Sequence, residues 1–63
     1  MRFPNGTTFY NGDLIGTVIK YSNGRSEPYF MKWYPIHPDE NSVETYDYWR
    51  EPSLEKLEKA GNP

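Results

Sequence analysis

"LIGTVIKYSNGRSEPYFMKW", from Leu14 to Trp33, carries the pattern of two strands and a turn on which the rest of the fold is built. β-Branched and aromatic residues flank Asn23-Gly24, the pair preferred at the tip of a two-residue β-hairpin because both central positions there need φ > 0. Taken literally, that turn sets Ser22 opposite Arg25, Lys20 opposite Glu27, Val18 opposite Tyr29, Gly16 opposite Met31 and Leu14 opposite Trp33. One face then carries Leu14, Gly16, Val18, Tyr29, Met31 and Trp33, and it is the expected core face, because side chains alternate sides along a strand. The other face carries Ile15, Thr17, Ile19, Tyr21, Phe30 and Lys32. Pro28 lies opposite Ile19 in this register, where its missing N–H costs no bond within the hairpin and faces an edge or a bulge.

On either side of this hairpin, further turn signals stand at Asn5-Gly6, at Asn11-Gly12 and in "HPDENS", His37 to Ser42. They bound a first strand from Gly6 to Tyr10 and a fourth from Val43 to Trp49, the rhythm of a small all-β domain. The tail "EPSLEKLEKAG" reads as a short helix over residues 52–60, opened by Pro52 or Ser53 and stopped by Gly61. Leu54 and Leu57 share one face of it, and Glu55 with Lys59 forms an i,i+4 pair. A helix this short is marginal in water, so it must dock through its leucines beside Trp49.

Composition sets the limits. A chain of 63 residues makes one domain, residues 1–63, with a modest core. It has no cysteine, so no disulfide or thiolate metal site can staple it, and the 17% of aromatic residues must supply the buried area instead. Seven basic and nine acidic residues are interspersed, for a net charge of -2, which argues against a dedicated phosphate-backbone binder. No apolar run reaches membrane-spanning length and no signal peptide is evident, so a soluble, cytoplasmic protein without membrane contact is expected. Asn5-Gly6-Thr7 matches a glycosylation acceptor but reads as a turn in that setting.

The layout resembles the SH3-like small barrels, and within them the chromo and Tudor-type domains. "GTVIKY", Gly16 to Tyr21, looks like the second barrel strand. "YFMKW", Tyr29 to Trp33, is similar to the Tyr-x-x-Lys-Trp strand of chromodomains, and "WREPSLEKL", Trp49 to Leu57, to their Trp-Glu-Pro segment leading into a C-terminal helix. The resemblance spans about Gly6 to Leu57. It implies a mainly β fold, a single small barrel of about five short strands with a short C-terminal helix. It also implies a ligand-binding role, often the reading of methylated lysine in an aromatic cage through cation–π contact. Trp33 matches the cage tryptophan at the end of the third strand. The second aromatic of such a cage would fall three residues on, at Ile36, so a complete cage is not expected.

No catalytic constellation is visible. His37 is the single histidine, and neighbouring Asp39 and Glu40 read as a solvated turn rather than a metal site, which would need several convergent nitrogen or sulfur ligands. No metal, cofactor or enzymatic activity is expected from so small a barrel. Tyr46, Tyr48 and Arg50 alternate along the fourth strand and share one face, which can serve as a stacking surface for a peptide or a single strand of nucleic acid. Lys20, Arg25 and Lys32 do not form a patch in sequence, which favours the peptide. The candidate partner-binding residues are Tyr10, Trp33, Tyr34, Tyr46 and Tyr48. The expected function is a small protein-binding module using exposed aromatics. The alternatives are a nucleic-acid-binding barrel and a small accessory or inhibitory protein that binds a partner enzyme.

Overall fold

A computed structural model describes residues 3–61. Among these residues the chain is mainly β: five strands form one antiparallel sheet, and a single short helix is set between the last two. β1 is Thr8–Asn11, β2 Leu14–Tyr21, β3 Tyr29–Pro35, β4 Thr45–Trp49, α1 Glu51–Glu55 and β5 Glu58–Ala60. The strand order is β4-β3-β2-β1-β5, so the chain meanders from β1 to β4 and then returns to pair its last strand with its first.

The tight hairpin is the one joining β1 to β2. Asn11 pairs with Leu14 across Gly12-Asp13, and Gly12, at φ 60, takes the first central position that a glycine-led two-residue turn requires. Asn23-Gly24 instead forms a β-turn inside a longer loop. The Arg25 N–H donates to the Ser22 carbonyl at 3.3 Å, and Gly24 alone of the central pair has positive φ. The loop is closed further out, where the Ser22 N–H donates to the Pro28 carbonyl at 2.7 Å. Pro28 therefore lies before β3 rather than opposite Ile19.

This longer loop corrects the register. Val18 faces Met31, Gly16 faces Trp33 and Leu14 faces Pro35, a shift of two residues from the hairpin read in the sequence. An even shift leaves every side chain on its expected face, since sides alternate with period two. A β-bulge between Val18 and Lys20 then changes the parity, and beyond it Lys20 faces Phe30 and Tyr21 faces Tyr29. Tyr21 thus moves to the inner side, where its ring meets that of Tyr29 edge-on at 5.0 Å, while Ile19 is left exposed.

The inner face holds the core. Phe9, Val18, Tyr29, Met31, Trp33 and Leu54 are buried together, with Phe3, Leu14, Tyr21, Trp49 and Leu57 packed around them. The Tyr29 hydroxyl donates to Glu51 Oε1 at 3.1 Å and accepts the Phe3 N–H at 3.0 Å, so one phenol ties the first described residue to the helix. Burial pushes this phenol above its ordinary pKa, the Phe3 N–H opposing the shift and Glu51 adding to it.

The helix expected over residues 52–60 is shorter and starts earlier. Arg50 is its N-cap, Pro52 falls in the first turn where its missing N–H costs nothing, and Lys56 caps the end. Leu54 is fully buried, as expected of a docked helix, but Leu57 and Trp49 are only half-buried, packed at the margin of the core. Beyond Leu57 the chain becomes β5, pairing Thr8 with Ala60 and Phe9 with Lys59. Thr8 Oγ1 also donates to the Ala60 carbonyl at 2.8 Å. The Glu55–Lys59 helical pair therefore does not form, and Gly61 follows a strand instead of ending a helix. The first and fourth strands are likewise narrower or displaced, at Thr8–Asn11 and Thr45–Trp49.

Candidate binding face

Antiparallel partners project to the same side of a sheet, so the pairings map the outer face directly. One row runs Glu58, Tyr10, Ile15, Tyr34; the next Ala60, Thr8, Thr17, Lys32, Tyr46; the third Lys20, Phe30, Tyr48. Four of the five expected site residues, Tyr10, Tyr34, Tyr46 and Tyr48, share this face. Trp33 does not: it points inward and is 3% exposed.

The aromatic rings form one cluster across β3 and β4. Phe30 stacks on Tyr46 with centroids 5.5 Å apart and planes 12° from parallel, and meets Tyr48 at 4.9 Å. Tyr46, 50% exposed, is the ring most open to a ligand. Cations lie over the same cluster. The Arg25 guanidinium sits 3.6 Å from the Tyr48 ring centroid and Lys20 Nζ 5.6 Å from that of Phe30. Lys32 stands opposite Tyr46 in the sheet. The three basic residues that look dispersed in sequence thus gather on one surface. No acidic residue lies on the outer side of β2, β3 or β4, because Asp47, the one carboxylate in these strands, faces inward.

Phe30, Lys20, Arg25 and Lys32 are members of this face that the candidate list lacks. Alternation along β3 could have supplied Phe30 and Lys32, since both share parity with Tyr34. Lys20 could not be found that way, because the bulge decides its side. Arg25 reaches the face from the loop.

Asp47 has a separate role on the inner side. Its Oδ1 accepts the Trp33 indole N–H at 2.7 Å and the Trp49 indole N–H at 2.8 Å, and the two indoles lie 5.3 Å apart. This carboxylate fixes both tryptophans. His37, Asp39 and Glu40 are exposed in the loop after β3, where the Asp39 side chain accepts the Asn41 N–H and the Ser42 hydroxyl in a self-contained turn. No cluster of potential metal ligands exists among the described residues, and no helix there is long and apolar enough to cross a membrane. The chain matches no family model, no curated protein and no solved structure.

Proposed function

We propose that this chain is a small non-catalytic binding module, an SH3-like barrel of the chromo or Tudor type, that takes a protein or peptide partner on the outer face of β2, β3 and β4. One observation carries the reading: Phe30, Tyr46 and Tyr48 form a continuous aromatic cluster on that face, with Lys20 and Arg25 over its rings and Lys32 paired with Tyr46. Aromatic rings and arginine dominate the energetics of protein interfaces, because they bury much area with few rotamers to fix. The return of β5 to β1, with a short helix before it, supports the small-barrel reading. A pull-down from native lysate with wild type and a Phe30→Ser, Tyr46→Ser double variant tests it. Partners held by the wild type and lost by the folded variant are expected; equal retention by both would move the function off this face.

Nucleic acid is the second reading, favoured by the interleaving of Lys20, Arg25 and Lys32 with aromatic rings. Salt separates the two, since binding through phosphates weakens steeply and linearly in log salt concentration.

A further inference from the structure

We infer that the partner of this face is an acidic linear peptide, its carboxylates seated on Arg25, Lys20 and Lys32 and its apolar side chains on Phe30 and Tyr46; this rests on the outer face being the binding surface.

Arg25 gives the sharpest indication. Its guanidinium lies over Tyr48, and its Nε–H is used internally, donating to the Glu27 carbonyl at 3.2 Å. Both Nη groups make no hydrogen bond among the described residues. A guanidinium held over a ring with its terminal donors open is prepared for a carboxylate, which it can bind with two parallel hydrogen bonds. The contact with Tyr48 and the bond to the Glu27 carbonyl reduce the side-chain freedom that such a bond would otherwise have to freeze. Lys20 and Lys32 make no ion pair among the described residues, so all three cations lack an acidic counterpart. An acidic ligand would supply the carboxylates that β2, β3 and β4 do not present on this side, the one acidic residue in the outer rows being Glu58, beside Tyr10 and away from the Phe30 cluster.

Other occupants fit less well. A second copy docked face to face about a two-fold axis would set Lys20, Arg25 and Lys32 against themselves. A polyphosphate strand laid along the sheet would meet carboxylates at both ends: Glu27 in the loop before β3, and Asp39, Glu40 and Glu44 in the loop before β4, all exposed. The net charge of -2 adds a general repulsion. A peptide needs only to cross from β2 to β4, roughly 10 Å at the usual strand spacing, and so meets the loop before β3 only at Arg25 and stays short of the acidic loop before β4.

The test is selection of random linear peptides by phage display against the full chain, followed by amide chemical-shift mapping of a selected peptide. Enriched sequences should carry an excess of Asp and Glu interspersed with apolar residues, and the shifts should centre on Phe30, Lys32, Tyr46 and Tyr48. Arg25→Glu and Lys32→Glu should each weaken binding roughly tenfold or more, whereas Lys56→Glu, an exposed charge after the helix, should leave it unchanged. Unaltered methyl shifts of Val18 and Met31 report that each variant is folded. Peptides that map to this face without an acidic excess would overturn the partner class and leave the binding face standing. Peptides that map elsewhere would overturn both. Displacement of the peptide by a tighter-binding oligothymidylate would make nucleic acid the occupant, and face shifts that grow with protein concentration alone would make it a second copy; either sinks the inference.

Discussion

Trp33 occupies the space in which a side chain at residue 16 would stand. A β-carbon built on Gly16 falls 2.6 Å from Trp33 Cη2 and closer still to Cζ3. The two residues are direct cross-strand partners on the inner face, so the indole folds back over the neighbouring strand and uses the missing side chain as its seat. Gly16→Ala should therefore destabilise by about 1–3 kcal/mol, the scale of overpacking in a closed core. In chemical denaturation the cost should shrink when Trp33→Phe is added, because the smaller ring leaves room for the methyl. Strictly additive costs in that double-mutant cycle would show that the indole can move away.

Asp47 anchors that same indole. With one oxygen accepting from both Trp33 and Trp49, its removal unpairs two donors at once. Asp47→Ala should cost about 1–2 kcal/mol, given that the site is open enough for water to replace part of the loss. Both indole N–H resonances should move together in the NMR spectrum, with a smaller change for Asp47→Asn, which retains an acceptor. Movement of the Trp49 signal alone would mean that Trp33 is held by packing and not by the carboxylate.

The buried phenol of Tyr29 links stability to alkaline pH. Its folded pKa is raised from the ordinary value of 10.0 by burial. Folding is therefore favoured by this group in full below that value, and the contribution fades as pH climbs from there through the raised folded pKa, since the unfolded chain ionises first. Tyr29→Phe should cost about 1 kcal/mol at neutral pH for its lost hydrogen bonds, and the gap from wild type should narrow above about pH 10. A gap that stays constant through the alkaline range would contradict the buried, neutral phenol.

The tail closes the core with one side chain. Leu54 is fully buried, whereas Leu57 is only partly covered. Leu54→Ala should cost about 2–5 kcal/mol and Leu57→Ala distinctly less. Truncation after Pro52 removes Leu54 and also β5, which exposes the β1 edge, so both a lower melting temperature and a greater tendency to aggregate are expected. An unchanged melting temperature would show that the tail does not complete the core.

What the sequence disclosed followed parity, and what it hid depended on partners far along the chain. Gly16, Val18, Tyr29, Met31 and Trp33 could be assigned to the core face because a shift of two residues does not change sides. The bulge at Ile19 and the loop from Ser22 to Pro28 escaped, since Asn23-Gly24 is equally at home in a tight hairpin and in a turn within a longer loop. Glu58 to Ala60 has helical neighbours and a helical composition, yet pairs with β1 because that edge is otherwise open; tertiary pairing overrides a weak local preference. The proposed binding face was half legible. Tyr10, Tyr34, Tyr46 and Tyr48 could be picked out as aromatics, but the cations joined them only once Lys20 had been turned outward by the bulge and Arg25 had folded over Tyr48.

Trp33 remains the residue on which the chromodomain resemblance makes its strongest claim, and its surroundings oppose a cage function. A methylated ammonium must lie over an open ring face, where the cation–π gain reaches only ~2 kcal/mol or slightly more even when desolvated. One side of the Trp33 ring is closed by Gly16, its N–H is spent on Asp47, and the side chain is 3% exposed. Ile36, where a second cage wall would stand, is an exposed aliphatic residue just beyond the end of β3. Opening the ring to a ligand would have to break the Asp47 hydrogen bond and unpack Trp49 before any contact was gained. Titration with trimethyl-lysine peptides at millimolar concentration should therefore leave the Trp33 indole resonance where it is, while peptides bound on the outer face shift Tyr46 and Phe30. Saturable movement of the Trp33 indole by trimethyl-lysine, absent with unmodified lysine, would restore the cage and make this tryptophan a ligand contact instead of a core residue.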